Sequence, residues 1–194
     1  FKAVIVDTTV QEKAITFPTD AKLMHRARQR LVKMAKHKGI KLRQSYERVG
    51  KQALIKHQRY AHAKQFKRAN RELRRLRTML GRTIRDITRK IVGRADLQVA
   101  FGLNLSLARR VEQQRRGERG PKVYSLHAPE VECIGKGKAH KPYEFGVKVS
   151  LATTLNRCKG GQFVVHSKAL PGNPYDGHTL ETVIPDIERT IGAN

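Results

Sequence analysis

Between residues 18 and 122 the chain collects 31 of its 41 Lys and Arg but only 7 of its 16 Asp and Glu, a formal +24 in one segment. The rest holds 10 basic and 9 acidic residues and is nearly neutral. Isolated charges are not buried, so a segment this basic folds only if a narrow apolar stripe supplies the core and the cations stay in water. Residues 69–91 meet that condition. Ala69, Leu73, Leu76, Leu80, Ile84, Ile87 and Ile91 recur at spacings of 4, 3, 4, 4, 3 and 4, close to a heptad seam on one helix face. The outward positions are Lys67, Arg68, Arg71, Arg74, Arg75, Arg77, Arg82, Arg85, Arg89 and Lys90, and Glu72 and Asp86 are the only acids from 67 to 90. Intrahelical pairing cannot neutralise such a face. With a net charge of +25 and a pI of about 10.8 overall, the partner predicted is a polyanion, and nucleic acid fits best.

The seam belongs to a helical region running from about Ser45 to Val92, whose long helices would bury it by pairing as a hairpin. Before it, Thr19 or Asp20 can cap a helix carrying Leu23, Ala27, Leu31 and Met34 on one face, with a basic outer face and Gly39 at its end. After it, a helix is predicted from about Asp96 through Glu112, and the Gly/Pro/Arg cluster from Arg115 to Pro121 marks a boundary.

Outside 18–122 the period changes to that of strands. Lys2 to Thr8 reads as a strand, with a second short one near Glu12 to Phe17. Val131 to Ile134, Glu144 to Thr153 and Gln162 to Leu170 follow, the middle one alternating as Phe145, Val147, Val149 and Leu151. A final helix from about Thr179 to Ile191 carries Leu180, Val183, Ile184, Ile187 and Ile191 on its apolar face. The expected class is α/β (α+β): core strands in 1–17, a basic helical insertion in 18–122, and further strands and a helix in 123–194.

Several chemistries find no support. Cys133 and Cys158 lie 25 apart without a close pair, so neither a zinc site nor a disulfide framework is suggested, and a reduced, intracellular setting fits, cytoplasmic or nucleoid-associated. No apolar stretch approaches the roughly 20 residues that span a bilayer. The chain opens with Phe1 in mid-strand, which suggests that something precedes it. There is no G-x-S-x-G, no H-E-x-x-H and no nucleophilic Cys with an evident base. His57 and His62 are five apart, roughly 140° around a helix, and cannot share one metal. Gly135-Lys136-Gly137-Lys138 lacks the phosphate-loop frame and reads as a flexible basic loop in which Lys136 and Lys138 can meet phosphates. Tyr46, Tyr60 and Phe66 could stack on bases, but core packing is the expected role.

Chemistry points instead to Val4-Ile5-Val6-Asp7, a β-branched run ending in a carboxylate, which is how a strand delivers a hard oxygen ligand to the edge of a sheet. Asp176 and His178 lie on a later turn. A hard carboxylate suits magnesium, and magnesium beside a cationic track implies phosphodiester chemistry.

Five blocks, in order, carry a resemblance. They are Val4-Ile5-Val6-Asp7-Thr8-Thr9-Val10-Gln11-Glu12-Lys13, Leu42-Arg43-Gln44-Ser45-Tyr46, Tyr124-Ser125-Leu126-His127-Ala128-Pro129-Glu130-Val131, Gly135-Lys136-Gly137-Lys138-Ala139-His140-Lys141 and Gly172-Asn173-Pro174-Tyr175-Asp176-Gly177-His178-Thr179-Leu180. Together they resemble bacterial insertion-sequence transposases of the DDE type. The resemblance implies an RNase H-like core whose carboxylates bind two Mg²⁺ ions, or Mn²⁺, and cut and join double-stranded DNA at transposon ends and target. Asp7 matches the first catalytic Asp and metal ligand. Asp176 and His178 match a turn that supports the site rather than binds the ions. The second Asp and the Glu are expected beyond residue 194, so this fragment should bind DNA through Lys67, Arg68, Arg71, Arg74, Arg75, Arg82, Arg85, Arg89, Lys136 and Lys138 without cutting it. A homodimer is compatible with that reading. The alternatives are a non-catalytic nucleic-acid-binding protein or transposase remnant and, on charge alone, a ribosome-associated structural protein.

Overall fold

The computed structural model describes residues 3–115, 117–118, 120–137, 139–156 and 159–192. The chain forms two compact units, one from Phe1–Ile15 with Glu130–Asn194 and the other from Thr16–Pro129. The described residues form five helices and a four-stranded antiparallel sheet, a mixed α/β architecture. No helix among them is long and apolar enough to cross a membrane.

The Thr16–Pro129 unit holds helices α1 (Asp20–His37), α2 (Glu47–His62), α3 (Phe66–Lys90) and α4 (Ala95–Gln113). Thr19 caps α1 by accepting from the Lys22 N–H at 3.3 Å. At the other end Gly39 adopts φ +66°, and the Ile40 N–H returns to the Ala35 carbonyl at 2.8 Å, a closure that also buries Ile40. Between its caps α1 is more than a one-faced helix. Ala21, Leu23, Met24, Ala27, Leu31, Val32 and Ala35 are buried, and so is Arg28. It packs against α2, α3 and α4, so the expected basic outer face is interrupted by a cation inside the core.

The helical stretch from 45 to 92 is two helices. Lys64 takes φ +55°, and the Gln65 N–H bonds the Tyr60 carbonyl at 2.8 Å, which closes α2 and lets α3 fold back along it. The seam is buried as its spacing predicts, with Ala69, Leu76, Leu80, Ile84, Ile87 and Ile91 all inside and Leu73 partly so. On α4, Leu97, Phe101, Leu105, Ala108 and Val111 join the same core. The unit runs past the expected boundary at 122 because the chain beyond it is tied down. Gln114 bonds both the N–H (3.1 Å) and the carbonyl (3.3 Å) of fully buried Val123, and Arg30 donates to the Leu126 carbonyl at 2.6 Å.

In the other unit the long strand β3 (Tyr143–Thr154) is central. It pairs on one edge with β1 (Val4–Glu12), and also pairs with β2 (Glu132–Gly135) at one end and β4 (Val164–Leu170) at the other, all antiparallel. Because β3 offers β1 an unbroken register from Thr154 to Gly146, β1 runs through to Glu12, and the separate short strand expected at 12–17 does not form. Helix α5 (Asp176–Ile191) covers one face, with Val183 and Ile187 packed on Ala152, Val4, Val6 and Val165. Leu180 and Ile184, expected on the buried side, are exposed. A sheet this narrow covers only the stripe of Thr179, Val183 and Ile187, four residues apart.

Candidate functional site

The cationic surface of α3 is a consequence of its seam. Each seam position moved back by two residues gives 67, 71, 74, 78, 82, 85 and 89, occupied by Lys67, Arg71, Arg74, Thr78, Arg82, Arg85 and Arg89. Two residues are about 200° of helix, so this stripe lies almost opposite the core. All seven are exposed. The 22 steps from Lys67 to Arg89 span about 33 Å at 1.5 Å per residue, close to one turn of duplex DNA.

The two acids of the helix do not cover this stripe. Glu72 is buried and takes Arg75 at 2.8 Å, which engages one of the expected DNA-binding residues. Asp86 is buried too. Burial opposes its charge, but the Arg43 N–H at 2.9 Å, Lys90 at 3.1 Å and Arg89 at 3.9 Å outweigh that and hold its carboxyl below the usual range. Among the described residues no carboxylate lies within ion-pair distance of Lys67, Arg71, Arg74, Arg82 or Arg85. Arg68 donates to Gln65 at 3.0 Å and sits 5.8 Å from the centre of the Tyr60 ring. Arg77 and Lys90, expected outward, are partly buried and bond the carbonyls of Gln114 and Lys41. They hold the fold rather than extend the stripe.

In the β2–β3 connection, Lys136 ion-pairs with Glu144 at 3.4 Å, and its backbone N–H bonds the Pro142 carbonyl at 3.0 Å, so its charge is largely local. Lys138 lies outside the described residues.

Asp7 is exposed on β1, opposite Leu151 of β3, and its carboxylate accepts the Thr8 N–H at 2.8 Å. Strand alternation sends the Thr8 side chain to the other face. There Thr8 donates to Asp176 at 2.9 Å, Lys148 ion-pairs with the same carboxylate and also donates to the Pro174 carbonyl at 2.7 Å, and the Lys148 and Thr8 bonds hold the Asp176 carboxyl below its usual range. Asp176 therefore fastens the start of α5 to the sheet and does not converge with Asp7. His178 stands edge-on to Tyr175, ring centres 5.4 Å apart. Among the described residues no three His, Cys, Asp or Glu gather where a metal could be held. Two Mg²⁺ ions require several carboxylates to offset their dehydration, so Asp7 alone does not fit a two-ion centre.

No family model matches the chain. A curated protein of Rhizobium meliloti, described as "Uncharacterized protein ORF8 in nfe locus", is 59% identical over 61 residues, 31% of this chain and 30% of its own length. The aligned part thus spans under a third of that relative. No solved structure matches significantly.

Tyr46 is partly buried against the helical core, as expected, and it also takes part in the surface chemistry. Tyr46 takes φ +53° and ψ +27° just before α2, a region in which bulky residues are outliers. It lines a cleft of about 310 Å³ with Arg43, Gln44, Arg82, Arg85, Asp86 and Arg89. The signal available beforehand was the Leu42-Arg43-Gln44-Ser45-Tyr46 block, which carries no apolar period of its own.

Proposed function

We propose that this chain is part of a DDE-type DNA transposase with an RNase H-like core, in which the Thr16–Pro129 unit grips duplex DNA and Asp7 supplies the first of the catalytic carboxylates. The observation that carries the reading is the α3 stripe. Its cations are aligned over about one duplex turn, opposite the core, and all but Arg89 are without a carboxylate partner among the described residues, as a phosphate-binding surface requires. The five ordered sequence blocks and the exposed strand carboxylate at Asp7 support the transposase part. The described residues do not complete a metal centre, so phosphodiester cleavage and strand transfer at transposon ends belong to an assembly with further carboxylates.

The test pairs binding with cleavage. The 194-residue chain should bind duplex DNA and leave it uncut with Mg²⁺ or Mn²⁺ present, while the intact transposase should lose cleavage on Asp7→Asn and keep its affinity for ends. Cleavage by the 194-residue chain overturns the reading that its metal centre needs further carboxylates, and intact activity surviving Asp7→Asn overturns the assignment of Asp7. If duplex binding holds and no longer form cuts DNA, the non-catalytic nucleic-acid-binding reading replaces the enzymatic one.

A further inference from the structure

The segment joining α1 to α2 is held more firmly than a connection needs. Arg28, 1% exposed, donates to the Ser45 carbonyl at 2.6 Å. Asp86 accepts the Arg43 N–H at 2.9 Å, and Lys90 donates to the Lys41 carbonyl at 2.5 Å. Two residues of a neighbouring helix and one buried cation thus fix three successive points of one loop. A Cβ on Gly50 would lie 3.0 Å from Arg28 Nε, so the first turn of α2 closes directly over that guanidinium. The loop ends on Tyr46 in the left-handed region, a strained conformation that persists only where its surroundings impose it.

Fixed in this way, the loop presents Arg43, Gln44 and Tyr46 across a cleft from Arg82, Arg85 and Arg89. Four arginines and one carboxylate line it, and that carboxylate, Asp86, is already engaged by the Arg43 N–H, Lys90 and Arg89. The volume, about 310 Å³, falls at the lower end of sites that enclose small molecules, roughly 300–1,000 Å³. A duplex is too wide for it. On the other side of Tyr46 a second cleft, of about 420 Å³, continues the arginine lining with Arg71 and Arg74 and shares Tyr46 and Arg82 with the first. Two cationic clefts in series, with an aromatic side chain between them, suit a polymer of phosphates better than a lone anion, because successive charges enter successive sites.

We propose that this double cleft takes an unpaired nucleic-acid strand, its phosphates on the arginines and one base stacked on Tyr46, with Gln44 placed to hydrogen-bond the base edge. The proposal deepens the nucleic-acid reading of α3 and rests on it. It adds that the end of the stripe recognises strand opening rather than duplex alone.

The experiment compares a blunt duplex with the same duplex carrying a three-nucleotide single-stranded extension that contains 2-aminopurine, read by fluorescence anisotropy and by quenching of the probe. The extension should tighten binding and quench the probe. Tyr46→Asn, which removes the ring but tolerates the left-handed backbone, should weaken extended-duplex binding by about 5- to 150-fold, the size of one base–aromatic stack. Tyr46→Phe should retain the gain, and blunt-duplex affinity should not change in either variant. Arg43→Gln, which keeps the backbone N–H used by Asp86, serves as a second variant should Tyr46→Asn not fold, and it too should act on the extended duplex alone. Equal affinity of the native chain for both ligands, or a gain that survives both Tyr46→Asn and Arg43→Gln, overturns the proposal while leaving the duplex reading intact. Blunt duplex unbound, with a single-stranded oligonucleotide bound through Tyr46, overturns the duplex reading instead and leaves the cleft assignment standing. If neither ligand binds, both fall.

Discussion

Replacing Arg71, Arg74 and Arg82 together by Gln should change how DNA affinity depends on salt by a calculable amount. The stripe contributes six cations, Lys67, Arg71, Arg74, Arg82, Arg85 and Arg89. If each neutralises one phosphate of a duplex, the slope of log K against log salt is about −0.9 per contact, or roughly −5.4 in all, and affinity falls about 10³-fold between 50 and 200 mM salt. Removing three contacts brings the slope to about −2.7 and the fall over the same range to roughly 40-fold. Gln resembles Arg in helix propensity, and the three side chains are exposed with no carboxylate partner among the described residues, so α3 itself should be undisturbed. The assay is fluorescence anisotropy on a labelled duplex over a salt series, with circular dichroism on each variant. A control removing equal charge elsewhere, Lys33, Lys51 and Lys56 to Gln on α1 and α2, should leave the slope near the native value. An unchanged slope in the α3 variant, or an equal reduction in the control, would show that binding reflects net charge and not this surface.

Two further outcomes test the fold around the interface. His25 is held to a pKa of about 4, against an ordinary value of 6.5, by burial and then by the neighbouring Arg28. A depressed histidine pKa means that the unfolded chain takes up the proton first, so stability is full above pH 6.5 and falls as pH drops toward 4, by on the order of 2–3 kcal/mol. Urea melts between pH 7 and 4 should show that decline, and His25→Gln should flatten it; a native chain whose midpoint does not move over this range contradicts the burial. Gly146→Ala places a Cβ 2.1 Å from the Gln11 carbonyl oxygen, a backbone atom that cannot turn aside, at the Glu12–Gly146 end of the β1–β3 register. A loss of about 1–3 kcal/mol is expected in thermal or chemical melts, with faster amide exchange at Gln11 and Glu12; full tolerance would mean that the strands do not approach so closely there.

Much of the helical unit was legible because its signals are local. A seam with heptad spacing, a Thr cap and a Gly at a helix end act within a turn or two of the chain, and each occurs where the pattern put it. The strand segments after residue 130 were readable from alternation, within a few residues at their ends. What escaped depended on partners distant in sequence. The extent of β1 follows from the length of β3, about 140 residues later. Burial of Arg28 inside α1 follows from three helices closing around it and from the Ser45 carbonyl, 17 residues away. Tyr46 packs against the core as expected, but nothing in its own neighbourhood shows that Arg28, Asp86 and Lys90 would also hold its loop beside the arginines of α3.

By itself, then, the sequence determined where charge can lie. An acid-poor helix with one apolar seam must turn its cations to water, and that rule holds whatever the seam packs against. Tertiary structure alone decided which charges remain available. Glu72 and Asp86 turn inward, take Arg75, Lys90 and, at 3.9 Å, Arg89, and leave Lys67, Arg71, Arg74, Arg82 and Arg85 without a carboxylate among the described residues. It also decided that Asp7 and Asp176 stand on opposite faces of one sheet, since adjacent strand residues alternate and the Thr8–Asp176 bond fixes which side α5 begins on. Ion pairs and convergent carboxylates depend on distances of a few ångströms between segments far apart in the chain, and such distances exist only once the fold has closed.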